Sequence, residues 1–334
     1  MEKDFRKLAL DQKTRFLLVR PDKLGDVISA IPALQRLREA YPQSYIAMLV
    51  SEYTAPLLEN NPWLNQIISL KGSFFPLVDQ IRREKFDVSI HFYVEWSTVF
   101  SVRLANVPIR VGPFSKLPAL LLNRRLRQNR SQSLKHEADY NLELTALCGA
   151  SPTPTPPRLF LQEKEVSGGK QVLKQLGIAE TSKKIILHPG SAGSAQDWPV
   201  DHFINLAKRI AKETGEVIIT AGRQEEGIIE RFKELNLPRI HLIPAGSLTL
   251  RQLAGVIKAA DFFVSNSTGP LHIAVGLGVP TLSFYPSAPL VMSAQRWGPY
   301  GDPKRNIVLS PNLLGLPMSA ISVEQAFTQL SSLR

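Results

Sequence analysis

Short, wholly apolar runs alternate with stretches of helical periodicity along this chain. "RFLLVR" at 15–20 gives way to a loop holding Pro21 and Gly25, a helical pattern to about Tyr41, and then "YIAMLV" at 45–50. The same order returns as "KIILHPG" at 184–190, a Gly/Ser loop, a helix from about Asp201 to Glu213, and "EVIITAG" at 216–222. A strand that is apolar at every position, not at every second one, belongs to a parallel sheet covered on both faces. Each segment therefore reads as a βαβ unit. Further strands are predicted at 67–70, 88–94 and 109–112 in the first half and at 240–245, 262–266 and 281–285 in the second. Helical stretches such as "LRQLAGVIKAA" at 250–260 lie between them. "GASPTPTPPRLF" at 149–160 carries four prolines and reads as an extended hinge. The expected fold is α/β: two doubly wound, Rossmann-like domains, residues 1–150 and 159–334, joined by a Pro-rich linker at 151–158. Ligands of such sheets bind outside the carboxyl ends of the strands, so a cleft between the domains is the expected site.

Charge narrows the choice of partner. The 334 residues carry a net charge of +11, which favours an anionic partner. Residues 101–135 hold eight Lys or Arg and no acid, with "NRRLRQNR" at 123–130 at their centre. This stretch is either a solvated helix face or loop, or a docking surface for phosphates. No RNA-binding signature, aromatic stacking pattern or helix-turn-helix spacing accompanies it, so nucleic acid is not expected. Cys148 is the one cysteine, which leaves no disulfide framework and no thiolate metal cluster, and it reads as a small buried residue. The histidines are scattered without metal-ligand spacing, and no metal is expected. The N-terminal sixteen residues mix charges of both signs and lack the apolar core of a signal peptide. No stretch approaches the ~20 apolar residues of a membrane span. A cytoplasmic protein is expected, with peripheral contact at the inner face of the inner membrane available through its basic charge.

Three loops could carry chemistry. In "FFVSNSTGPLHIAVGLGVPTLSFYP", 262–286, a buried strand runs through Ser267, Thr268 and Gly269 into a helix that starts near Pro270. Free N–H groups, the helix dipole and two hydroxyls suit a phosphate or pyrophosphate. The plain alternative is a capped strand-to-helix turn. His272 in the first turn could face the same ligand or be structural. "HPGSAGSAQDWP", 188–199, offers a second anion-contacting loop with Ser191, and Trp198-Pro199 should pack and start the next helix. Asp26, in "RPDKLGDVISAIPAL", is either the N-cap of its helix or a general base at a strand's carboxyl end.

Taken together, "LLVRPDKLGDVISAIPALQRLREAYPQSYIAMLVSEYTAPLLENNPWLNQII", "LANVPIRVG", "HPGSAGSAQDWP" and "SNSTGPLHIAVGLGVPTLSFYP" resemble the family 9 glycosyltransferases, the lipopolysaccharide heptosyltransferases. The resemblance runs from about residue 15 to residue 320. It implies a GT-B architecture with an N-terminal acceptor domain and a C-terminal nucleotide-sugar domain. It implies inverting, metal-independent transfer from a nucleotide-sugar donor, typically ADP-heptose, to an anionic inner-core glycolipid, with no further cofactor. It makes Asp26 of the Leu-Gly-Asp motif the candidate base and puts Thr268 and Gly269 on the diphosphate. Glu225, with Glu226 as the neighbouring choice, would hold the ribose hydroxyls. Arg20, Lys23, His91, Arg124 and Arg125 are the expected acceptor contacts. Two positions depart from the family pattern. Gln196 stands where Lys is frequent, and Ser267 where Asp is frequent, so the phosphate charge could fall to Arg223 or Lys23 and the sugar could be other than heptose. Two alternatives stay open: a GT-B enzyme of another nucleotide sugar, such as an epimerase, and a non-catalytic nucleotide- or anion-binding relative.

Overall fold

The computed structural model describes residues 10–72, 74–193 and 195–332. Part of the N-terminal segment read above for targeting signals therefore lies outside the described residues. The chain divides into two compact units, Met1–Pro157 and Arg158–Arg334. Among the described residues, no helix is long and apolar enough to cross a membrane.

In the first unit, the elements run β1 (Arg15–Val19), α1 (Leu24–Ala40), β2 (Tyr45–Ser51), β3 (Gln66–Leu70), α2 (Phe74–Glu84), β4 (Val88–His91), α3 (Trp96–Leu104), β5 (Ile109–Pro113), β6 (Arg124–Leu126) and α4 (Glu137–Ala146). The strands form a six-stranded sheet in the order β3-β2-β1-β4-β5-β6, with every pairing parallel. β1 is buried along Phe16–Val19 and β2 along Ile46–Val50, as wholly apolar runs require. α1 turns Val27, Ile28, Ile31, Leu34 and Leu37 inward, a helical spacing that covers one face of the sheet.

The second unit repeats the plan. It contains α5 (Glu163–Gln175), β7 (Lys184–His188), α6 (Val200–Glu213), β8 (Glu216–Ile219), α7 (Glu226–Lys233), β9 (Ile240–Leu242), α8 (Leu250–Lys258), β10 (Phe262–Asn266), α9 (Gly269–Gly276), β11 (Thr281–Phe284), α10 (Ala294–Trp297), β12 (Asn306–Leu309) and α11 (Val323–Ser332). Its parallel sheet runs β12-β11-β10-β7-β8-β9. Trp198 anchors the core here. Its ring stacks on Phe284 at 4.1 Å between centroids and meets Phe203 edge-on at 4.8 Å. Its indole N–H donates to the Ile321 carbonyl at 2.8 Å, which satisfies the polar end of a buried ring.

The structure corrects several strand expectations. β4 stops at His91 instead of reaching residue 94, because the chain turns at Phe92 and its carbonyl accepts from two arginine side chains. β8 and β9 likewise end three residues early, and β11 one residue early. Two strands escaped the pattern, β6 and β12, and both lie at sheet edges. β6 is "RRL", whose charges suit an exposed edge and hide it from an apolar-run criterion. Part of the basic cluster is therefore an edge strand, not a helix face or loop. Cys148 is buried, and burial pushes its thiol up to about 12.

Two buried histidines tie stability to pH. Burial, reinforced by the nearby Arg110 charge, lowers His91 to about 3. Burial lowers His188 to about 4, against the opposing pull of Glu225. Below the ordinary value of 6.5 the unfolded chain binds protons that these two folded rings refuse, so their contribution is lost as pH falls. Asp22 acts with the opposite sign. Its folded pKa is raised to about 7, chiefly by burial, so its contribution is lost as pH rises. Two groups outweigh one, and thermal melting should drop by several degrees between pH 7 and pH 5. A melting temperature that is flat or rising toward acid would contradict the neutral burial of these rings.

Candidate functional site

Each sheet reverses its strand order at one place, and each reversal opens a crevice at the strands' carboxyl ends. In the first unit the reversal lies between β1 and β4, and in the second between β7 and β10. The loops singled out from the sequence sit at these two places.

At the first reversal the chain leaves β1 through Arg20, Pro21 and Asp22 and enters α1. Lys23, exposed, is the N-cap of α1 in extended conformation and makes no side-chain cap bond. Asp26 is thus the third residue inside the helix, which corrects the N-cap alternative: the cap position belongs to Lys23, three residues earlier. Its negative charge still suits the helix's positive end. Arg20 is 2% exposed and surrounded by carboxylates. Its guanidinium pairs with Asp26, with Asp22 at 2.9 Å and with Glu137 at 2.9 Å, and donates to the Phe92 carbonyl at 3.0 Å. Burial opposes the Arg20 charge, but Asp26, Glu137 and Asp22 outweigh it and raise its pKa, so it remains a fixed cation. Arg130 closes the cluster, donating to the same Glu137 oxygen at 2.6 Å and the same Phe92 carbonyl at 2.9 Å. Three carboxylates thus share two guanidiniums. Asp22 is the one whose environment favours the proton, through its burial and the neighbouring charge of Asp26, against the pull of Arg20.

The expected acceptor contacts separate. Arg20 is not an exposed acceptor contact, because it is buried and its charge is paired with Asp22, Asp26 and Glu137. His91 is fully buried at the end of β4, close to Gly112 and Leu122, and so belongs to the core rather than to an acceptor surface. Arg124 and Arg125 are exposed on the edge strand β6, two strands from β4. Asp22, Arg130 and Glu137 were missed. Glu137 is 117 positions from Arg20, and no local spacing joins them.

At the second reversal, Asn266 ends β10 and ties the loops together. Its side chain accepts from the Trp198 N–H at 2.8 Å and donates to the Pro189 carbonyl at 2.5 Å. Thr268 is the N-cap of α9, in extended conformation with no side-chain cap bond, and Gly269 and Pro270 open the helix. Ser267 hydrogen-bonds with Tyr285, whose hydroxyl also donates to the Trp297 carbonyl at 2.6 Å. Ser191 is buried and pairs with Asp197, while Gln196 is exposed. His272 is buried on the first turn of α9. Glu225 ends the loop after β8. Its carboxylate accepts from the Ala192 N–H at 2.6 Å and the Gly222 N–H at 2.7 Å, so it fastens the 190–192 loop to the β8 loop. A Cβ on Gly190 would lie 2.1 Å from that carboxylate, so any larger residue there would push the Glu225 side chain out of this position. Each Glu225 oxygen retains a second lone pair for a ligand hydroxyl. Glu226 is exposed and begins α7.

The Arg20 cluster yields a stability prediction. Removing one partner of a buried charge network strands the others, at a cost of about 3–5 kcal/mol, against about 0–1 kcal/mol for an exposed pair. Glu137→Ala should therefore lower unfolding free energy in urea far more than Glu39→Ala, which breaks the exposed Arg36–Glu39 pair. Equal effects would mean that the cluster is not held as described.

Comparison with known proteins agrees with this layout. The sequence profile of "Glycosyltransferase family 9 (heptosyltransferase)" matches residues 74–314. The chain is 31% identical over 336 aligned residues to a candidate glycosyltransferase of Haemophilus influenzae, covering 95% of this chain and 96% of that one. It is 27% identical to lipooligosaccharide heptosyltransferase 2 of Haemophilus ducreyi, over 80% and 81% of the two chains. The solved ADP-heptose LPS heptosyltransferase II of Escherichia coli superposes with a TM-score of 0.81 at 21% identity, covering 96% of this chain and 98% of that one. Two parallel doubly wound sheets, an Asp-bearing first helix and a serine/threonine turn at the second reversal thus sit in a chain that belongs to glycosyltransferase family 9, the heptosyltransferases.

Proposed function

We propose that this enzyme transfers a heptose from ADP-heptose to an anionic lipopolysaccharide inner-core acceptor, with inversion and without a metal. The observation that carries the reading is the Asp26 carboxylate, held by Arg20 at the strand-order reversal of the first unit. In this reaction the acceptor oxygen attacks the anomeric carbon and the bond from that carbon to the phosphate oxygen breaks. The hydroxyl proton passes to Asp26, and ADP departs with the electron pair. One carboxylate suffices for a single displacement, and general-base help of this kind is worth about 10²–10⁴-fold. Arg20 grips one oxygen of Asp26 and leaves the other to take the proton.

The departing diphosphate gathers charge as the bond breaks. The N-terminal amides of α9, the Thr268 hydroxyl and the Gly269 backbone would meet it, with Ser191, Ser267 and His272 as further donor-side residues. Gln196 brings no charge where the family often has Lys, so exposed Arg223 would supply it within the second unit. Glu225 would accept from the ribose hydroxyls on its remaining lone pairs. The first unit would take the acceptor and the second the donor. Exposed Lys23, Arg124 and Arg125 would draw the phosphorylated glycolipid, which keeps the enzyme at the inner face of the inner membrane.

Asp26→Asn should lower transfer from ADP-heptose by about 10²–10⁴-fold while leaving the ADP-induced rise in melting temperature intact. A variant that retains more than a tenth of the activity would remove Asp26 as the base. Thr268→Ala should do the reverse, weakening stabilisation by ADP several-fold. Unchanged ADP affinity would place the diphosphate elsewhere. Consumption of donor without acceptor would favour the epimerase reading, and ADP binding with no transfer the non-catalytic one.

A further inference from the structure

One face of the first unit carries apolar side chains that its core does not use. Phe75 at the start of α2, Trp96 and Phe100 on α3, and Leu117 and Leu120 on the 3₁₀ turn Leu117–Leu121 are 43% to 74% exposed. The aromatic ones gather around Phe74. Phe74 stacks on Phe100 at 5.7 Å and meets Phe75 edge-on at 5.4 Å. Phe74, Trp96, Phe100 and Leu121 line one groove of about 540 Å³. Contiguous exposed aromatic and aliphatic groups of this kind mark a surface that meets something apolar.

The surrounding charge says what that is. Trp96, Phe100, Arg103 and Leu104 follow i, i+4, i+7, i+8 spacing and so share one face of α3. Lys116 sits over the Tyr93 ring at 4.0 Å and Arg125 over the Phe114 ring at 4.9 Å, cations carried directly on the aromatic border. Arg124 is exposed beside Arg125, and residues 101–135 hold no acid to offset them. Glu95 stands at the rim, its carboxylate accepting from groove-lining Ser97 at 2.7 Å, but the exposed Arg103, Lys116 and Arg125 outnumber it, and a protein partner of ordinary surface would not call for such a net cationic border around an apolar centre. An anionic bilayer does, because aromatic and aliphatic groups enter the headgroup boundary while Lys and Arg stay with the phosphates.

We propose that this face, with Phe75, Trp96, Phe100, Leu117 and Leu120 inserted and Arg103, Lys116 and Arg125 on lipid phosphates, docks the enzyme on an anionic phospholipid membrane. The proposal deepens the membrane contact of the proposed function and rests on that reading for its use. Its test needs no sugar transfer. Each basic side chain near an anionic surface raises partition about fivefold, and salt weakens that part.

The test is flotation of the full chain with vesicles of phosphatidylglycerol and phosphatidylethanolamine, against vesicles of phosphatidylcholine alone. The expected result is at least tenfold stronger binding to the anionic vesicles, weakened by 0.5 M salt on the scale of a shortened screening length of about 3–10 Å. The variant Trp96→Ser/Phe100→Ser/Leu117→Ser should lose at least tenfold, and so should Arg103→Glu/Lys116→Glu, which changes only exposed charges. Unaltered melting and an unaltered ADP shift would show that both variants are folded. Wild-type chain that stays in solution, or variants that float as well as wild type, would overturn the proposal. So would a wild-type dimer that the apolar variant splits while neither form floats. Failure of ADP to shift melting would count against the donor reading alone and leave the vesicle result standing.

Discussion

Strands that run parallel and are covered on both faces can offer chemistry only at their ends. That constraint governs both units. Along β1, β2, β7 and β10 almost every side chain is buried, so the first polar groups arrive where each strand stops. Arg20 follows β1, and Ser267 and Thr268 follow β10. A guanidinium at the end of a buried strand cannot stand alone, because an unpaired charge out of water costs far more than a fold can bear. The cluster of Asp22, Asp26 and Glu137, with Arg130 beside it, is what allows Arg20 to be there. It also joins the loop after β1, the first turn of α1, the turn after β4 and the start of α4.

The cluster links packing to function. Asp26 projects from a helix whose start is fixed by that network, not by a side-chain cap. A base must keep one geometry through turnover, and a carboxylate held by a buried cation does so better than one on an exposed loop. In the second unit, Asn266 and Glu225 have the corresponding part. Their side chains bind backbone groups of the 189–192 and 222 loops, leaving the α9 N-terminus as the group of donors open to a ligand.

Much of this was legible in the sequence, for a physical reason. Buried parallel strands are continuous apolar runs, so β1, β2, β7 and β10 stand out, and the turn from β10 into α9 declares itself through Ser-Thr-Gly-Pro. The edge strand β6, spelled "RRL", lacks that signature because its charges face solvent, and so it was hidden within a basic cluster. The expectations for Arg20 and His91 took polar residues near strand ends to be exposed, whereas one is neutralised from α4 and the other is sealed in the core. Glu137 was out of reach because its role depends on a contact across 117 positions, which neither periodicity nor spacing encodes.

The central claim is a single displacement at the anomeric carbon with one carboxylate, Asp26, taking the proton. The most direct test is the anomeric configuration of the transferred sugar, read by NMR on product made from ADP-heptose and an inner-core acceptor. The expected linkage has the configuration opposite to that of the donor, with no glycosyl-enzyme detected by mass spectrometry. Retained configuration would contradict it, since a single displacement from the face opposite the leaving group, with Asp26 acting only as the base, must invert the anomeric carbon.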